Sequence, residues 1–146
     1  MSDFRKLSDA MLASPQITPE DLAAAREQGV TLVINNRPDG ESPEEPQGPE
    51  IEAAARAAGM DYLAIPITHA GFSLPQVDAL ADAISACEGK VLAYCRSGTR
   101  STLLWAMARA RLGDAPDEIA SAAASAGYDV SVVRDTIDML AGQAKA

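Results

Sequence analysis

Residues 91–107 read VLAYCRSGTRSTLLWAM, and this stretch decides both the expected fold and the expected chemistry. The apolar run 90–95 has the length and composition of a buried β-strand. The apolar pattern that follows the run predicts a helix that starts near Ser101. Cys95 ends the strand, and Gly98 allows the chain to turn tightly before the helix. We therefore expect a strand, a tight loop and a helix, with Cys95 in the loop.

The loop between this strand and helix is predicted to bind an anion. Unpaired N–H groups and the positive dipole end of the helix face such a loop. This setting, with arginines beside the sulfur, favours the thiolate form of cysteine. Arg100 can offer a planar fork to two oxygens of an oxyanion. The predicted site residues are Cys95 as the reactive thiolate, Arg100 as the arginine that binds the anion, and Arg96, Ser97, Gly98, Thr99 and Ser101 as the rest of the anion-binding loop.

Outward from this loop, strands and helices alternate along the chain. Apolar runs predict buried strands at 30–35 and 62–67, and a weaker run at 10–15 predicts a strand at a sheet edge. Proline and glycine signals predict further helices. These helices start at Pro19, Pro49 and Pro75 and after Asp114 and Asp129. The alternation predicts a single α/β domain with a mostly parallel sheet of four to five strands, flanked by helices.

Composition narrows the classes of function. A chain of 146 residues fits one domain, so we expect residues 1–146 to form a single unit. The net charge of −9 argues against nucleic acid or an anionic membrane as a partner. No apolar run is long enough for a signal peptide or a membrane span. The two cysteines, Cys87 and Cys95, predict neither a disulfide framework nor a metal site, which indicates the cytoplasm. We expect no cofactor.

The motif CRSGTRS resembles the active-site loop of rhodanese-type sulfurtransferases and the HCxxGxxRS loop of cysteine-dependent phosphatases. With SPQITPEDLAAAREQGVTLVINNRPDGE and YLAIPI, it resembles the phosphatase-like domain of the beta-lactamase-hydrolase-like protein family. The similarity covers residues 3–112, and C-terminal helices occupy 113–146. The resemblance implies a cysteine-phosphatase-like fold, as in dual-specificity phosphatases, with Cys95 as nucleophile and Arg100 as anion ligand. It also implies a metallo-beta-lactamase-type sulfur enzyme as a partner.

Two departures from the phosphatase pattern keep the reaction open. Only four residues separate Cys95 from Arg100, whereas the phosphatase loop has five. Tyr94 stands where phosphatases usually carry histidine. A tighter loop offers fewer N–H groups and suits a persulfide better than a phosphoryl group. The scaffold therefore indicates a phosphatase, whereas the loop length favours sulfur transfer.

A phosphatase also needs a general acid. The loop ITHAGFS, which follows the strand before the nucleophile strand, contains no acidic residue, but it contains His69, the only histidine of the chain. Asp39, in NNRPDGE after strand 30–35, is the other candidate, although it also suits an ordinary turn. Arg37 leaves the same strand end and is predicted to border the pocket and bind the anion. This is the sheet edge at which α/β proteins bind ligands.

Three functions follow from these residues. The first is hydrolysis of a phosphoester on a small anionic substrate or a phosphorylated protein, through a Cys95 phosphoenzyme. The second is sulfur transfer through a Cys95 persulfide. The third is a non-catalytic module that binds anions through the same loop.

Overall fold

The computed structural model describes residues 3–68 and 70–144, and within them five strands form one sheet. The strand order is β1–β2–β5–β3–β4. The strands are β1 (Arg5–Ser8), β2 (Met11–Ser14), β3 (Val30–Asn35), β4 (Asp61–Ala64) and β5 (Lys90–Tyr94). β1 is antiparallel to β2, and the other neighbours are parallel. The predicted mostly parallel α/β fold is therefore confirmed.

The described residues contain six α-helices, most of which lie between or after these strands. They are α1 (Pro19–Glu27), α2 (Gly48–Ala57), α3 (Leu74–Ala86), α4 (Thr99–Arg111), α5 (Pro116–Ser125) and α6 (Arg134–Ala144). A short 3₁₀ helix covers Ser131–Val133 just before α6. None of the helices in the described part of the chain is both long and apolar enough to cross a bilayer.

The central strand β5 sends alternate side chains into two different cores. Val91 and Ala93 join the cluster formed with α3, α4, α5 and α6. Leu92 and Tyr94 join the cluster formed with α1 and α2. Because side chains alternate along a strand, helices on both faces bury all four residues from Val91 to Tyr94, which form one continuous apolar run.

The prediction that strand 10–15 lies at a sheet edge was wrong. β2 lies inside the sheet because β1, which the sequence pattern did not predict, pairs with it through a tight turn. Leu7 is the only buried side chain of β1, so no apolar run in the sequence indicates this strand. The other edge is β4, which ends at Ala64, earlier than the predicted residue 67.

Candidate active site

Cys95 lies directly after β5, at the carboxyl edge of the sheet centre. Its backbone N–H donates to the Ser14 carbonyl of β2 at 3.3 Å. Its side chain is fully buried, and the Sγ atom accepts a hydrogen bond from the Gly98 N–H at 3.1 Å. The sulfur therefore faces a polar donor of the loop rather than apolar side chains alone.

Gly98 is the residue that makes this turn possible. Its φ of +90° is in the left-handed region, which glycine adopts without strain. A Cβ at this position would collide with the hydroxyl of Tyr128. The helix α4 begins at Thr99, two residues before the predicted start near Ser101, because Gly98 already acts as the N-cap. The Gly98 carbonyl then accepts hydrogen bonds from the N–H and hydroxyl of Thr102.

Several peptide N–H groups of the loop remain free to bind a ligand. Those of Arg96, Ser97, Arg100 and Ser101 have no hydrogen-bond partner among residues 3–68 and 70–144. The Thr99 N–H is used locally, by the Ser97 hydroxyl at 3.3 Å. Free N–H groups at the start of a helix, together with the helix dipole, form a favourable environment for an anion.

The hydroxyl groups of the loop differ in their surroundings. Ser97 and Thr99 are exposed, and their hydroxyls hydrogen-bond to each other at 3.0 Å. Ser101 is completely buried, and its Oγ has no partner within the described residues. A buried hydroxyl without a partner is costly, so Ser101 has a hydrogen bond available for a ligand or a neighbouring group.

Arg100 is held beside the loop by Glu41 of the segment 37–50. Its Nη2 and Nη1 donate to the two Glu41 carboxylate oxygens at 2.7 Å and 3.0 Å. Nη1 also donates to the Ile67 carbonyl at 2.8 Å. The hydrogen bonds to Glu41 raise the pKa of Arg100, burial opposes this, and the nearby Cys95 sulfur raises it further. Arg100 is thus close to Cys95, as its predicted role requires.

Arg37 makes its side-chain contacts mainly with the acidic segment 37–50 in this structure. Its guanidinium is buried and donates to Glu41 at 2.8 Å, Glu45 at 2.7 Å and the Gln16 side chain at 2.9 Å. Burial lowers the pKa of Arg37, but hydrogen bonds to Glu45 and Glu41 outweigh that effect and raise it. Arg37 therefore braces the acidic segment in this structure, and its role as an anion ligand stays a prediction.

An open cleft of about 500 Å³ lies over the guanidinium of Arg100. Its lining residues are Pro38, Asp39, Gly40, Glu41, Thr68, Arg96 and Arg100. Cys95 is not among them, but its chain neighbour Arg96 and the nearby Arg100 are. The cleft brings together three predicted site residues, namely Asp39, Arg96 and Arg100.

Of the two candidates for the general acid, Asp39 and His69, the structure describes only Asp39. Asp39 lines the cleft, and its Oδ1 accepts from the Gly48 N–H at 2.8 Å, at the start of α2. Its Oδ2 makes no hydrogen bond within the described residues. His69 lies outside the described residues, between Thr68 of the cleft and Ala70. Both roles remain predictions.

Sequence reasoning missed two residues that contact the loop, Glu41 and Tyr128. Glu41 pairs with Arg100 across 59 positions, and the Tyr128 hydroxyl donates to the Ser97 carbonyl at 3.1 Å. A surplus of acid in segment 37–50 was the only signal for Glu41, and no pattern in the sequence pointed to Tyr128. Cys87, the other cysteine of the chain, follows α3 as its C-cap and is half-buried, with its sulfur 3.2 Å from the Thr31 hydroxyl.

Solved structures that share this architecture include phosphatases. A candidate phosphatase from Neisseria meningitidis Z2491 superimposes with a TM-score of 0.82 and 33% identity, covering 96% of this chain and 99% of that one. Kinase-associated phosphatase, with its catalytic cysteine replaced by serine, gives a TM-score of 0.75 at 14% identity, covering 100% and 96%. The second likeness establishes the fold alone.

Sequence relatives agree with this fold. A beta-lactamase hydrolase-like protein from Xylella fastidiosa (strain Temecula1) is 31% identical over 125 residues, which are 85% of this chain and 29% of the relative. The chain therefore spans less than a third of that relative's length. The family described as "Beta-lactamase hydrolase-like protein, phosphatase-like domain" matches residues 3–112. The chain belongs to this family of phosphatase-like domains.

Proposed function

We propose that the protein is a cysteine-dependent phosphatase that hydrolyses a phosphoester on a small anionic substrate or a phosphorylated protein. The observation that carries the proposal is that a peptide N–H donor and an arginine lie beside one sulfur. The Gly98 N–H donates to Cys95 Sγ, and the Arg100 guanidinium lies close enough to respond to the sulfur's charge. Such surroundings stabilise a thiolate and an incoming oxyanion together.

The proposed reaction has two steps. The Cys95 thiolate attacks phosphorus, an S–P bond forms, and the P–O bond to the leaving group breaks. The leaving oxygen takes a proton from a general acid. Water then attacks the phosphocysteine and the S–P bond breaks. Inorganic phosphate is released, and the Cys95 thiolate is regenerated. The free N–H groups of Arg96, Ser97 and Ser101, with Arg100, would bind the phosphoryl oxygens in both steps.

Asp39 and His69 are the proposed alternatives for the general acid. Asp39 is favoured by its place in the cleft wall, because the other carboxylate among the described lining residues, Glu41, is already bound by Arg100. The Gly48 N–H fixes one carboxylate oxygen and leaves the other for a substrate. In Asp39→Asn, we expect turnover of substrates with poor leaving groups to fall most, because these need the proton.

Sulfur transfer is the second candidate, and the loop length favours it. With four residues between Cys95 and Arg100, the loop has one peptide N–H fewer than the phosphatase loop. In this reaction the thiolate attacks the outer sulfur of thiosulfate, the S–S bond breaks, and sulfite leaves. The Cys95 persulfide then passes that sulfur to an acceptor such as cyanide.

One pair of assays distinguishes these reactions. The wild type, Cys95→Ser and Cys87→Ser would each be tested with an aryl phosphate and with thiosulfate plus cyanide. We expect Cys95→Ser to lose phosphatase activity and the Cys87→Ser control to keep it. Activity only on thiosulfate, lost in Cys95→Ser, would establish sulfur transfer instead. Neither activity in the wild type would indicate the non-catalytic anion-binding module.

The setting of the reaction is also a proposal. The acidic surface and the two free thiols favour the cytoplasm as its location. The family relationship favours an association with a metallo-beta-lactamase-type sulfur enzyme, since the longer relatives carry additional chain. Co-purification of the two proteins from cells would test this association.

A further inference from the structure

The peptide group between Ser97 and Gly98 makes hydrogen bonds on both of its sides. On one side the Gly98 N–H donates to Cys95 Sγ at 3.1 Å. On the other side the Ser97 carbonyl accepts from the Tyr128 hydroxyl at 3.1 Å. In a trans peptide the C=O and N–H bonds point in opposite directions. The hydrogen bond from Tyr128 fixes the direction of the Ser97 carbonyl, and it therefore also keeps the Gly98 N–H directed at the Cys95 sulfur.

Tyr128 is itself held in place by contacts with Gly98 and Arg5 and by its burial. Its ring lies against Gly98, where no side chain could be accommodated. The Arg5 guanidinium of β1 lies over the ring, 5.1 Å from its centroid. The residue is 8% exposed, and burial raises the pKa of its hydroxyl, Arg5 lowers it, and the Cys95 sulfur raises it. The hydroxyl is therefore a neutral donor next to the reactive loop.

We propose that Tyr128 is a positioning residue that keeps the Ser97–Gly98 peptide oriented so that its N–H stabilises the Cys95 thiolate. Tyr128 does not touch the sulfur, and it acts through the peptide alone. It lies in the connection between α5 and the 3₁₀ helix, beyond the matched residues 3–112. The C-terminal helices thus contribute to the site by carrying this hydroxyl to the back of the loop.

The test measures the rate of Cys95 alkylation by iodoacetamide against pH, in the wild type and in Tyr128→Phe. Peptide mapping separates Cys95 from Cys87, which serves as an internal reference. Tyr62→Phe is the matched control. The Tyr62 hydroxyl accepts a hydrogen bond from the Asn35 side chain at the end of β3, and not from the Cys95 loop. The phenylalanine ring keeps the contact with Gly98 and Arg5, so Tyr128→Phe removes only the hydrogen bond.

We expect the midpoint of the Cys95 profile to move upward by about 0.5–1 pH unit in Tyr128→Phe, the amount that one neutral hydrogen bond can supply. The Tyr62→Phe profile should match the wild type. Activity of Tyr128→Phe should fall more at pH 6 than at pH 8, because the thiolate recovers as the pH rises. A purely structural role would lower the unfolding temperature and leave the midpoint in place, which would overturn the inference.

The inference takes from the proposed function only that Cys95 is the reactive sulfur, and the two can fail separately. An upward shift without phosphatase activity would support the role of Tyr128 and contradict the proposed reaction. Phosphatase activity with identical profiles in wild type and Tyr128→Phe would contradict the role of Tyr128 alone. A wild-type profile for Cys95 that coincides with that of Cys87 would contradict both.

Discussion

Arg100 is oriented by protein groups in a way that leaves one edge of its guanidinium for a ligand. The end of the fork, Nη1 and Nη2, is bound by the Glu41 carboxylate, and Nη1 also binds the Ile67 carbonyl. The Nε–H and the second N–H of Nη2 donate to no oxygen of the described residues. Two parallel donors on the same edge are suited to two oxygens of an oxyanion.

Replacing this guanidinium by another cation tests the role of its shape. Arg100→Lys keeps the charge but cannot bind Glu41 and an oxyanion with paired N–H groups. We expect kcat/KM for an aryl phosphate to fall at least about tenfold, corresponding to roughly 1.4 kcal/mol or more of lost transition-state binding.

Arg109→Lys is the matched control for that substitution. Arg109 lies on the same helix and forms a two-point ion pair with Asp114, outside the cleft. Its replacement should leave kcat/KM within about twofold. An Arg100→Lys enzyme as active as the control would remove Arg100 from the binding of the anion.

The chemistry of single residues could be predicted from sequence only where the partners are neighbours along the chain. Cys95, Gly98 and Arg100 lie within six positions, so the turn and its helix bring them together whatever the rest of the fold does. Glu41 and Tyr128 reach the same loop from distant segments. Their side chains meet it only through tertiary packing, which local pattern does not contain.

At the scale of elements, hydrogen bonds and ion pairs fix the acidic segment 37–50 and connect it to Arg100 at the end of the Cys95 loop. Arg37 is buried at its base and binds Glu41 and Glu45. Asp39 anchors the start of α2 through the Gly48 N–H. The pKa of Glu41 is lowered chiefly by its hydrogen bond to Arg100, and burial acts in the opposite direction. Glu41 therefore stays ionised at neutral pH and remains ion-paired with Arg100.

We expect Glu41→Gln to weaken phosphate binding, because an amide offers one acceptor oxygen and no charge to orient Arg100. Inhibition by inorganic phosphate should weaken about threefold to tenfold, and kcat/KM should fall in parallel. Inhibition constants for the variant and the wild type would measure this.

Glu44→Gln is the control within the same segment. Glu44 is exposed and accepts from the Ser42 hydroxyl rather than from Arg100, so its replacement should leave phosphate inhibition unchanged. If Glu41→Gln instead bound phosphate more tightly, Glu41 would be a competitor for the anion and not a brace for Arg100.

Strands that are buried on both faces could be predicted from the sequence, whereas the polar edge strand could not. β3 and β5 are buried on both faces, so their apolar runs predicted them with bounds within one residue. The polar edge strand β1 has one buried side chain and gave no such signal. β4 ends before Pro66, although Ile65 and Ile67 still donate to the carbonyls of Asn35 and Asn36. The predicted run therefore included residues that pair with the sheet but leave the strand.

At the scale of the whole molecule, buried tyrosine determines how stability responds to alkali. Burial raises the pKa of Tyr94, and the nearby Tyr62 and Asp39 act in the same direction. The folded chain therefore retains the Tyr94 proton at pH values at which the unfolded chain releases it, above about pH 10. Unfolding then releases a proton, so the free energy of unfolding falls as the pH rises.

Tyr94→Phe removes this proton and should flatten the alkaline decline. We expect the free energy of unfolding of the wild type to fall more steeply than that of the variant, by up to about 1.4 kcal/mol per pH unit between pH 10 and 11. At pH 8 the variant should be at least as stable, because the Tyr94 hydroxyl has no hydrogen-bond partner within the described residues. Urea unfolding at each pH would measure both, and parallel declines would contradict the assignment.

The most direct measurement of the account is the mass of the Cys95 peptide after rapid denaturation of the enzyme during turnover of an aryl phosphate. We expect a fraction of this peptide to carry one phosphoryl group, while the Cys87 peptide of the same sample stays unmodified. Turnover with an unmodified Cys95 peptide, or with the phosphoryl group on Cys87, would contradict the central claim that Cys95 is the nucleophile.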